Sequence, residues 1–349
     1  MDRVKIGFVG CGRMGQLAHI ANYATLADAE LVALADLRQE TAKAVAKRYD
    51  IPKVYKTHKE LLDDADIDAV VAIMGFALHH AVIPDILERG KHCITEKPIA
   101  VNAATAQRLD ELAKEKGIVY QIAYMKRCDP ASMRMKEMIQ EWKASEAYGP
   151  LKYLRVSMPP GDWTFQIENP INLGDKPEGA DLVPESPPDW MDEKTGQEYT
   201  KFINYYIHQV NLIRYLLGED YQIEYADPKD VLIVARSDSG VTIALEMDAY
   251  RVGNEWHEFY TACFEKGKLA LSSTAPLARQ QSGNLRVYRN EADMPVYEKP
   301  VFPAKWCMLE QARMFVEAVQ GRMPCISPAA DAVKDLAFGE SYIRLRAEA

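Results

Sequence analysis

The sequence lacks the features that usually mark a membrane, secreted or nucleic-acid-binding protein. No apolar run approaches the roughly 18 residues that a bilayer-spanning helix needs. The chain begins directly with a strand-like segment, so no signal peptide is expected. No basic block occurs, and 51 acidic against 42 basic residues give a net charge of −9. These absences argue against nucleic acid and membranes as partners and favour a cytoplasmic location.

Paired cysteines and metal-ligand spacings are also missing. The six cysteines are scattered without a C-x-x-C pair, so reduced buried thiols are expected rather than disulfides or a zinc site. The seven histidines include one adjacent pair, His79 and His80, whose side chains would point apart on a helix. We therefore predict no metal site.

The sequence does contain enough apolar residues for two domains. It has 349 residues, of which 48% are hydrophobic and 27% charged, as in soluble globular proteins. Strand-like and helix-like segments alternate up to about residue 123, which predicts a parallel sheet with helices on both faces. The predicted fold class is α/β, with a doubly wound Rossmann domain over residues 1–124.

A glycine-rich turn follows the first predicted strand. The segment Gly10-Cys11-Gly12-Arg13-Met14-Gly15 leads into an amphipathic helix, and the next strand ends on Asp36. In such a turn the first glycine permits the bend, the second leaves room for a pyrophosphate, and the third lets the helix approach the strand. The N–H groups at the helix start favour phosphate binding. The pattern predicts a dinucleotide site, although glycines also occur in ordinary turns.

Asp36 is expected to accept both adenosine-ribose hydroxyls, which favours NAD over NADP because a 2′-phosphate would be repelled. Arg38 could instead accommodate that phosphate, so NADP remains the less favoured alternative. Gly10, Asp36, Gly75 and Glu96-Lys97-Pro98 all follow predicted strands. They are therefore expected to share one cleft at the carboxyl edge of the sheet.

Lys97, in the segment Glu96-Lys97-Pro98, can be interpreted in two ways. It could be a solvated cation in a surface turn. Alternatively, partial burial could lower its pKa and make it a general acid/base beside a cofactor.

The second predicted domain covers residues 125–349. Several strand-like runs with alternating side chains predict a large, mostly antiparallel open sheet in an α/β domain. Residues 159–200 are rich in proline, glycine and acid without clear periodicity, which indicates a long arm or lid. A helix is expected from Phe202 to Leu217.

Four features of the sequence together resemble the Gfo/Idh/MocA family. They are the glycine turn, Asp36, the run Gly90-Lys91-His92-Cys93-Ile94-Thr95-Glu96-Lys97-Pro98 and the run Lys126-Arg127-Cys128-Asp129-Pro130. Members are nicotinamide-dependent dehydrogenases of sugars, inositols and related polyols. The resemblance extends nearly from end to end and implies a two-domain oxidoreductase that acts on CH–OH groups.

The resemblance assigns roles to several residues. It carries the family's catalytic lysine onto Lys97 and its helix histidine onto His208, for which a satisfied structural histidine is the alternative. Asn204, four residues before His208, replaces the usual aspartate, and Asn211 replaces another common acid. Since asparagine cannot accept a proton, proton transfer is expected from Lys97 and His208, with Asn204 as a hydrogen-bonding positioner.

Further positions are assigned with open alternatives. Lys126 is a candidate for binding substrate hydroxyls or a solvated lysine, and Trp163 could stack on a sugar ring or pack within the protein. His79 fits a family histidine or a helix-start role. The predicted cofactor-binding residues are Gly10, Gly12, Arg13, Met14, Gly15, Asp36, Arg38, Met74, Gly75, His79, Glu96 and Lys97.

The leading expectation is an NAD-dependent dehydrogenase of a ring secondary hydroxyl in a sugar, glycoside or cyclitol. One alternative keeps NAD bound through a redox-neutral cycle, and another is a non-catalytic NAD-binding sensor or scaffold. A homodimer or homotetramer through the second-domain sheet is also expected.

Overall fold

The computed structural model describes residues 3–161, 163, 170–179, 182–253, 255–291 and 294–348. Parts of the predicted arm, at 162, 164–169, 180 and 181, therefore lie outside the described residues. The chain forms two compact units, and each is assembled from three stretches. The first unit comprises Met1–Tyr124, Ile167–Asn204 and Met308–Leu336, and the second comprises Met125–Gln166, Tyr205–Cys307 and Ala337–Ala349.

The first unit contains a six-stranded sheet with strand order β3-β2-β1-β4-β5-β6, and all of its described pairs are parallel. The strands are β1 (Val4–Val9), β2 (Ala29–Ala35), β3 (Lys53–Tyr55), β4 (Ala69–Ala72), β5 (His92–Thr95) and β6 (Tyr120–Ile122). This order confirms the predicted doubly wound Rossmann sheet.

Helices alternate with these strands because apolar residues recur at helical spacing between them. They are α1 (a π-helical turn Gly15–Ile20 followed by Ala21–Tyr23), α2 (Gln39–Arg48), α3 (His58–Asp64), α4 (His79–Glu88) and α5 (Ala103–Glu115). The core around Phe8 also receives Phe315 from a helix near the end of the chain. Tyr23 lies between these two rings, with centroid distances of 5.6 Å to Phe8 and 6.5 Å to Phe315.

Residues 170–179 and 182–192, which lie within the predicted arm of residues 159–200, are attached to the first unit and are called the arm below. Ile171 N–H donates to Gln16 Oε1 at 2.8 Å, and Gln16 Nε2 donates to the Ile171 carbonyl at 2.9 Å. Further on, Glu185 N–H donates to the Ala77 carbonyl at 2.7 Å, and Glu185 Oε2 accepts Val101 N–H at 2.8 Å. These partners follow β1, β4 and β5, so the arm lies along the carboxyl edge of the sheet.

The second unit contains an eight-stranded sheet with strand order β14-β13-β12-β11-β7-β10-β9-β8. Its strands are β7 (Leu151–Ser157), β8 (Tyr221–Ala226), β9 (Leu232–Ser237), β10 (Thr242–Glu246), β11 (Phe259–Phe264), β12 (Gly267–Ser272), β13 (Asn284–Glu291) and β14 (Met294–Glu298). Only the pair β7 and β10 is parallel among the described pairs, which confirms the mostly antiparallel prediction.

The remaining helices are α6 (Pro130–Ser145), α7 (Glu193–Tyr205), α8 (Ile207–Leu217), α9 (Cys307–Val319) and α10 (Ala329–Glu348). Asp129 begins α6 by accepting the N–H groups of Ala131 and Ser132. Along the part of the chain that the structure describes, no helix is both long and apolar enough to cross a membrane.

One helix prediction was wrong. The segment from Phe202 to Leu217 is not one helix, because α7 begins at Glu193 and ends at Tyr205, and α8 begins after Tyr206. A continuous helix would give the Asn204 carbonyl to His208 N–H, but Lys97 Nζ donates to that carbonyl at 2.6 Å. The i,i+4 argument that placed Asn204 and His208 on one helix face therefore does not hold. The edge strands β8 and β14, exposed along much of their length, were not predicted.

Candidate active site

The glycine turn after β1 shows which glycines the fold itself requires. Gly10 has φ +92°, and a Cβ there would lie 2.1 Å from the Ile73 carbonyl oxygen. A Cβ on Gly15 would lie 2.7 Å from the Gly10 oxygen. A Cβ on Gly12 would meet only Arg38 Nη2, at an ordinary 3.6 Å. Gly10 and Gly15 thus shape the turn, whereas Gly12 leaves space at its surface, as the passage of a pyrophosphate requires.

Two predicted cofactor residues lie between these glycines. Arg13 is exposed, and Met14 is half-buried and packs against the core. The N–H groups of this first turn follow β1 directly, so they lie at the carboxyl edge of the sheet, the usual position for phosphate binding.

Asp36, buried at the end of β2, is held by four donors. Its Oδ1 accepts Arg38 N–H at 2.9 Å and Arg38 Nε at 3.0 Å. Its Oδ2 accepts Arg38 Nη2 and Cys11 N–H, both at 2.8 Å. Burial alone would raise the pKa of Asp36, but these hydrogen bonds hold it below its usual value. Since a carboxylate offers about four acceptor positions, ribose hydroxyls can reach Asp36 only by displacing the Arg38 guanidinium.

The predicted residues after β4 have different surroundings. Met74 is half-buried, whereas Gly75 is exposed, and a Cβ there would meet no atom of the described residues within 4 Å. His79, which begins α4, is fully buried, and its Nδ1 donates to the Ile99 carbonyl at 3.0 Å. His79 therefore joins the start of α4 to the backbone just beyond Lys97.

The titration of His79 predicts a loss of stability in acid. Burial lowers the pKa of His79 to about 4, whereas an unfolded histidine has a pKa of about 6.5. Between these values the unfolded chain binds a proton that the folded chain does not, so stability present above pH 6.5 is lost as pH falls towards 4. Between pH 7 and 4, we expect wild type to lose about 3 kcal/mol more unfolding free energy than His79→Asn, measured by urea denaturation.

His80→Asn is the matched control for that experiment. His80 is half-buried, and its Nδ1 donates to the Ala77 carbonyl, also at 3.0 Å. A change in pH dependence as large in His80→Asn as in His79→Asn would contradict the assignment to His79.

Glu96 and Lys97 leave β5 with contrasting contacts. The Glu96 carboxylate accepts a hydrogen bond from His19 Nε2 at 2.7 Å and from Lys97 N–H at 3.3 Å. Burial would raise the pKa of Glu96, but the His19 hydrogen bond and the neighbouring positive charges hold it below its usual value. Lys97 is half-buried and precedes a cis peptide bond to Pro98. Its ammonium contacts the Asn204 backbone carbonyl rather than the Asn204 side chain.

The second unit contains a buried ion pair at Lys126. Lys126 is 5% exposed, so the alternative of a solvated lysine was wrong. Its Nζ donates to Glu258 Oε2, and Glu258 is completely buried. Glu258 also accepts Trp256 Nε1 at 3.1 Å, Gln209 Nε2 at 2.7 Å and Tyr260 OH at 2.7 Å. This cluster neutralises the Lys126 charge within the protein.

The other predicted residues of the second unit lie near the start of α8 or in the predicted arm. His208 is half-buried in the first turn of α8. Asn211, buried one turn later, accepts a hydrogen bond from Arg127 Nε at 2.6 Å. Trp163 is half-buried, and its role as a stacking surface stays a prediction.

Sequence reasoning missed three residues, His19 in the first unit and Gln209 and Glu258 in the second. His19 carried no motif signal, because its contact with Glu96 depends on the π-helical turn that it occupies. Gln209 was not predicted as a site residue, although it directly follows His208. Glu258 could have been found, since period-two alternation places it on the same buried strand face as Tyr260 and Ala262.

Comparisons with known proteins concern mainly the dinucleotide-binding region of the first unit. Residues 4–124 match the GFO_IDH_MocA family, described as an oxidoreductase family with an NAD-binding Rossmann fold. The myo-inositol 2-dehydrogenase of Thermotoga maritima is 24% identical over 224 residues, which are 64% of this chain and 58% of the relative. The inositol 2-dehydrogenase/D-chiro-inositol 3-dehydrogenase of Lacticaseibacillus casei is 36% identical over 140 residues, 39% and 40% of the two chains.

These matched stretches span about half the length of the two relatives. Among solved structures, KijD10, a 3-ketoreductase from Actinomadura kijaniata in complex with NADP and TDP-benzene, has 18% sequence identity. It covers 97% of both chains with a TM-score of 0.71, which supports the two-unit fold.

The description of this family and the names of the inositol dehydrogenase relatives agree with the predicted enzyme class, an NAD(P)-dependent dehydrogenase acting on CH–OH groups. These comparisons do not show whether the cofactor is NAD or NADP. The dinucleotide-binding region of the chain, residues 4–124, therefore matches the Gfo/Idh/MocA family of oxidoreductases.

Proposed function

We propose that this protein is an NAD-dependent oxidoreductase that interconverts a ring secondary hydroxyl and a ketone in a sugar, glycoside or cyclitol. The observation that carries the proposal is the presence of the glycine turn, Asp36 and Lys97 at one edge of one parallel sheet. Inositol dehydrogenases among the relatives favour a cyclitol or a similar polyol as substrate.

The cofactor site is proposed from residues at the carboxyl edge. Gly10, Gly12, Arg13, Met14 and Gly15 would hold the pyrophosphate, because the open surface at Gly12 suits its approach. Asp36 would accept the adenosine ribose once Arg38 moves aside. Met74, Gly75 and His79 would border the cofactor beyond β4, and Glu96 and Lys97 would border it beyond β5. When bound, the cofactor supplies the hydride acceptor.

The chain itself supplies position and proton transfer. We assign to Lys97 the removal or return of the hydroxyl proton, with His208 as a second acid/base group. Asn204 is assigned a positioning role, and Trp163 is assigned a contact with the substrate. Lys126 is also assigned a substrate contact, which it would make by exchanging its bond to Glu258 for a substrate hydroxyl. Asp36 supports NAD as the preferred cofactor, although KijD10 was solved with NADP.

The proposal is tested by incubating the purified protein with NAD or NADP and a panel of inositols, free sugars and glycosides at about pH 8–9, where a lysine base can work. We expect reduced nicotinamide to form with at least one polyol, and faster with NAD. No reduction with any substrate would exclude a simple dehydrogenase.

A second candidate keeps the cofactor bound and uses it in a redox-neutral cycle. The arm favours this candidate, because it is hydrogen-bonded along the edge where the cofactor would bind. NAD that co-purifies and resists dialysis would support it. Protein purified without cofactor and with weak NAD affinity would exclude it.

We further propose a homodimer or homotetramer through the open face of the second-unit sheet. Small, half-buried side chains such as Thr261, Ala270 and Ala244 share that face, and a second copy could cover it. A monomeric mass by light scattering at micromolar concentration would exclude this assembly. A cytoplasmic location is proposed because the six cysteines are scattered along the sequence without a C-x-x-C pair.

A further inference from the structure

The arm places an acidic side chain at the start of α2. Asp175 Oδ2 accepts the N–H groups of Glu40 at 2.9 Å and Thr41 at 3.1 Å, and Oδ1 accepts the Thr41 hydroxyl. Leu173 N–H also donates to that hydroxyl, at 3.3 Å. The donors that open this helix, which would otherwise favour an external anion, are therefore occupied by a carboxylate of the protein.

This helix start adjoins the proposed adenosine end of the cofactor site. Arg38 is the residue immediately before α2, and Asp36 directly follows β2, the preceding strand. The Arg38 guanidinium binds Asp36 through two hydrogen bonds. Both carboxylates raise the pKa of Arg38. The hydrogen bonds to Asp36 have the largest effect, and the charge of Asp175 has a smaller one. The two carboxylates outnumber the one guanidinium, so the group of three carries a net negative charge.

This net negative charge is expected to affect the binding of NAD and the binding of NADP differently. Ribose hydroxyls are neutral, so NAD can donate hydrogen bonds to Asp36 while Arg38 turns towards Asp175. A 2′-phosphate needs cationic or N–H donors, but Arg38 is already neutralised, and the N–H groups of Glu40 and Thr41 in the first turn of α2 are already occupied. The phosphate would also meet the Asp175 charge at close range.

We propose that Asp175 is a specificity-determining residue of the dinucleotide site, whose carboxylate on the start of α2 disfavours a 2′-phosphate and so favours NAD. The inference rests on the proposed binding of the adenosine ribose at Asp36. It assigns the arm a direct part in cofactor choice, in addition to its attachment to the sheet.

Isothermal calorimetry of the full chain with NAD and NADP tests the proposal through binding rather than turnover. Asp175→Asn removes the charge, while its amide oxygen can still accept the α2 N–H groups. We expect NADP to bind about tenfold more tightly, and NAD to change by less than about threefold. The shift should shrink in high salt, because Asp175 lies at the surface.

Glu178→Gln is the matched control, since Glu178 is an exposed acid on the same arm. It makes the same change in net charge, and we expect an unchanged ratio of the NAD and NADP dissociation constants. An unchanged ratio in Asp175→Asn would overturn the proposal, as would an equal shift in Glu178→Gln. Equal weakening of both cofactors would also overturn it, by showing that Asp175 only anchors the arm.

Asp175→Ala removes the hydrogen bonds as well as the charge. If the proposal is correct, Asp175→Ala shifts the ratio in the same direction as Asp175→Asn, even if the affinity for both cofactors falls. A wild-type protein that prefers NADP would contradict the proposed function. The response of NADP binding to Asp175→Asn would still decide whether Asp175 opposes the phosphate.

Discussion

Replacing Lys97 by alanine is expected to lower kcat by about 10²–10⁴-fold with whichever polyol proves to be a substrate, the usual contribution of a positioned acid/base group. Lys97 follows the carboxyl end of β5, and its ammonium donates to the backbone carbonyl of Asn204. Lys97→Arg keeps a cation that can donate to this carbonyl but cannot give up its proton. It should therefore lose nearly as much activity as the alanine variant.

Lys91→Ala is the matched control. Lys91 is half-buried in the same unit, and its Nζ donates to the Ile67 carbonyl at 2.8 Å, but it precedes β5 instead of following it. Both alanine variants should lose about 0.5–1.5 kcal/mol of unfolding free energy from one hydrogen bond, and both should bind NAD. Equal kcat values in the two variants would show that Lys97 takes no part in the chemical step. Full activity in Lys97→Ala would also reopen the sensor hypothesis.

Replacing Glu258 by glutamine is expected to destabilise the protein by about 3–5 kcal/mol. The substitution leaves the buried Lys126 ammonium without a counter-charge, and such an uncompensated charge is far more costly than loss of the whole pair. Removing both charges in Glu258→Gln with Lys126→Met should restore much of the loss. We expect a coupling energy of about 2–3 kcal/mol, from urea denaturation of all four proteins of the cycle.

Glu224→Gln provides the comparison in the same sheet. Glu224 on β8 forms a bidentate but exposed pair with Arg236 on β9. Because solvent screens such pairs, this substitution should alter stability little. Additive effects of the Glu258 and Lys126 substitutions would show that the buried pair is not coupled.

The parallel sheet could be predicted because its signals are local. Each strand is a short apolar run, each helix has its own periodicity, and Gly10-x-Gly12-x-x-Gly15 falls between the first strand and the first helix. Carboxyl-edge residues could be grouped for the same reason, since all parallel strands end at one edge. The family resemblance then supplied the enzyme class.

Contacts between distant residues could not be predicted in this way. Lys126 and Glu258 are 132 residues apart, and Asp175 lies 135 residues beyond its partner Glu40. No periodicity encodes such pairs, because either acid would look equally plausible on a solvated surface. The break at Tyr206 was missed for a related reason. The helix pattern continues across it, and the interrupting donor, Lys97, is 107 residues away from Asn204.

The placement of Phe315 in the core of the first unit has a consequence for synthesis of the chain. Phe8 and Tyr23 are translated early, but the aromatic ring that completes their cluster comes roughly 190 residues after β6. At 5–20 residues per second, the interval on the ribosome is roughly 10–40 seconds. During that time the sheet can form but its core stays incomplete. The nascent nucleotide-binding unit therefore exposes an apolar face to chaperones until the segment that carries Phe315 has emerged.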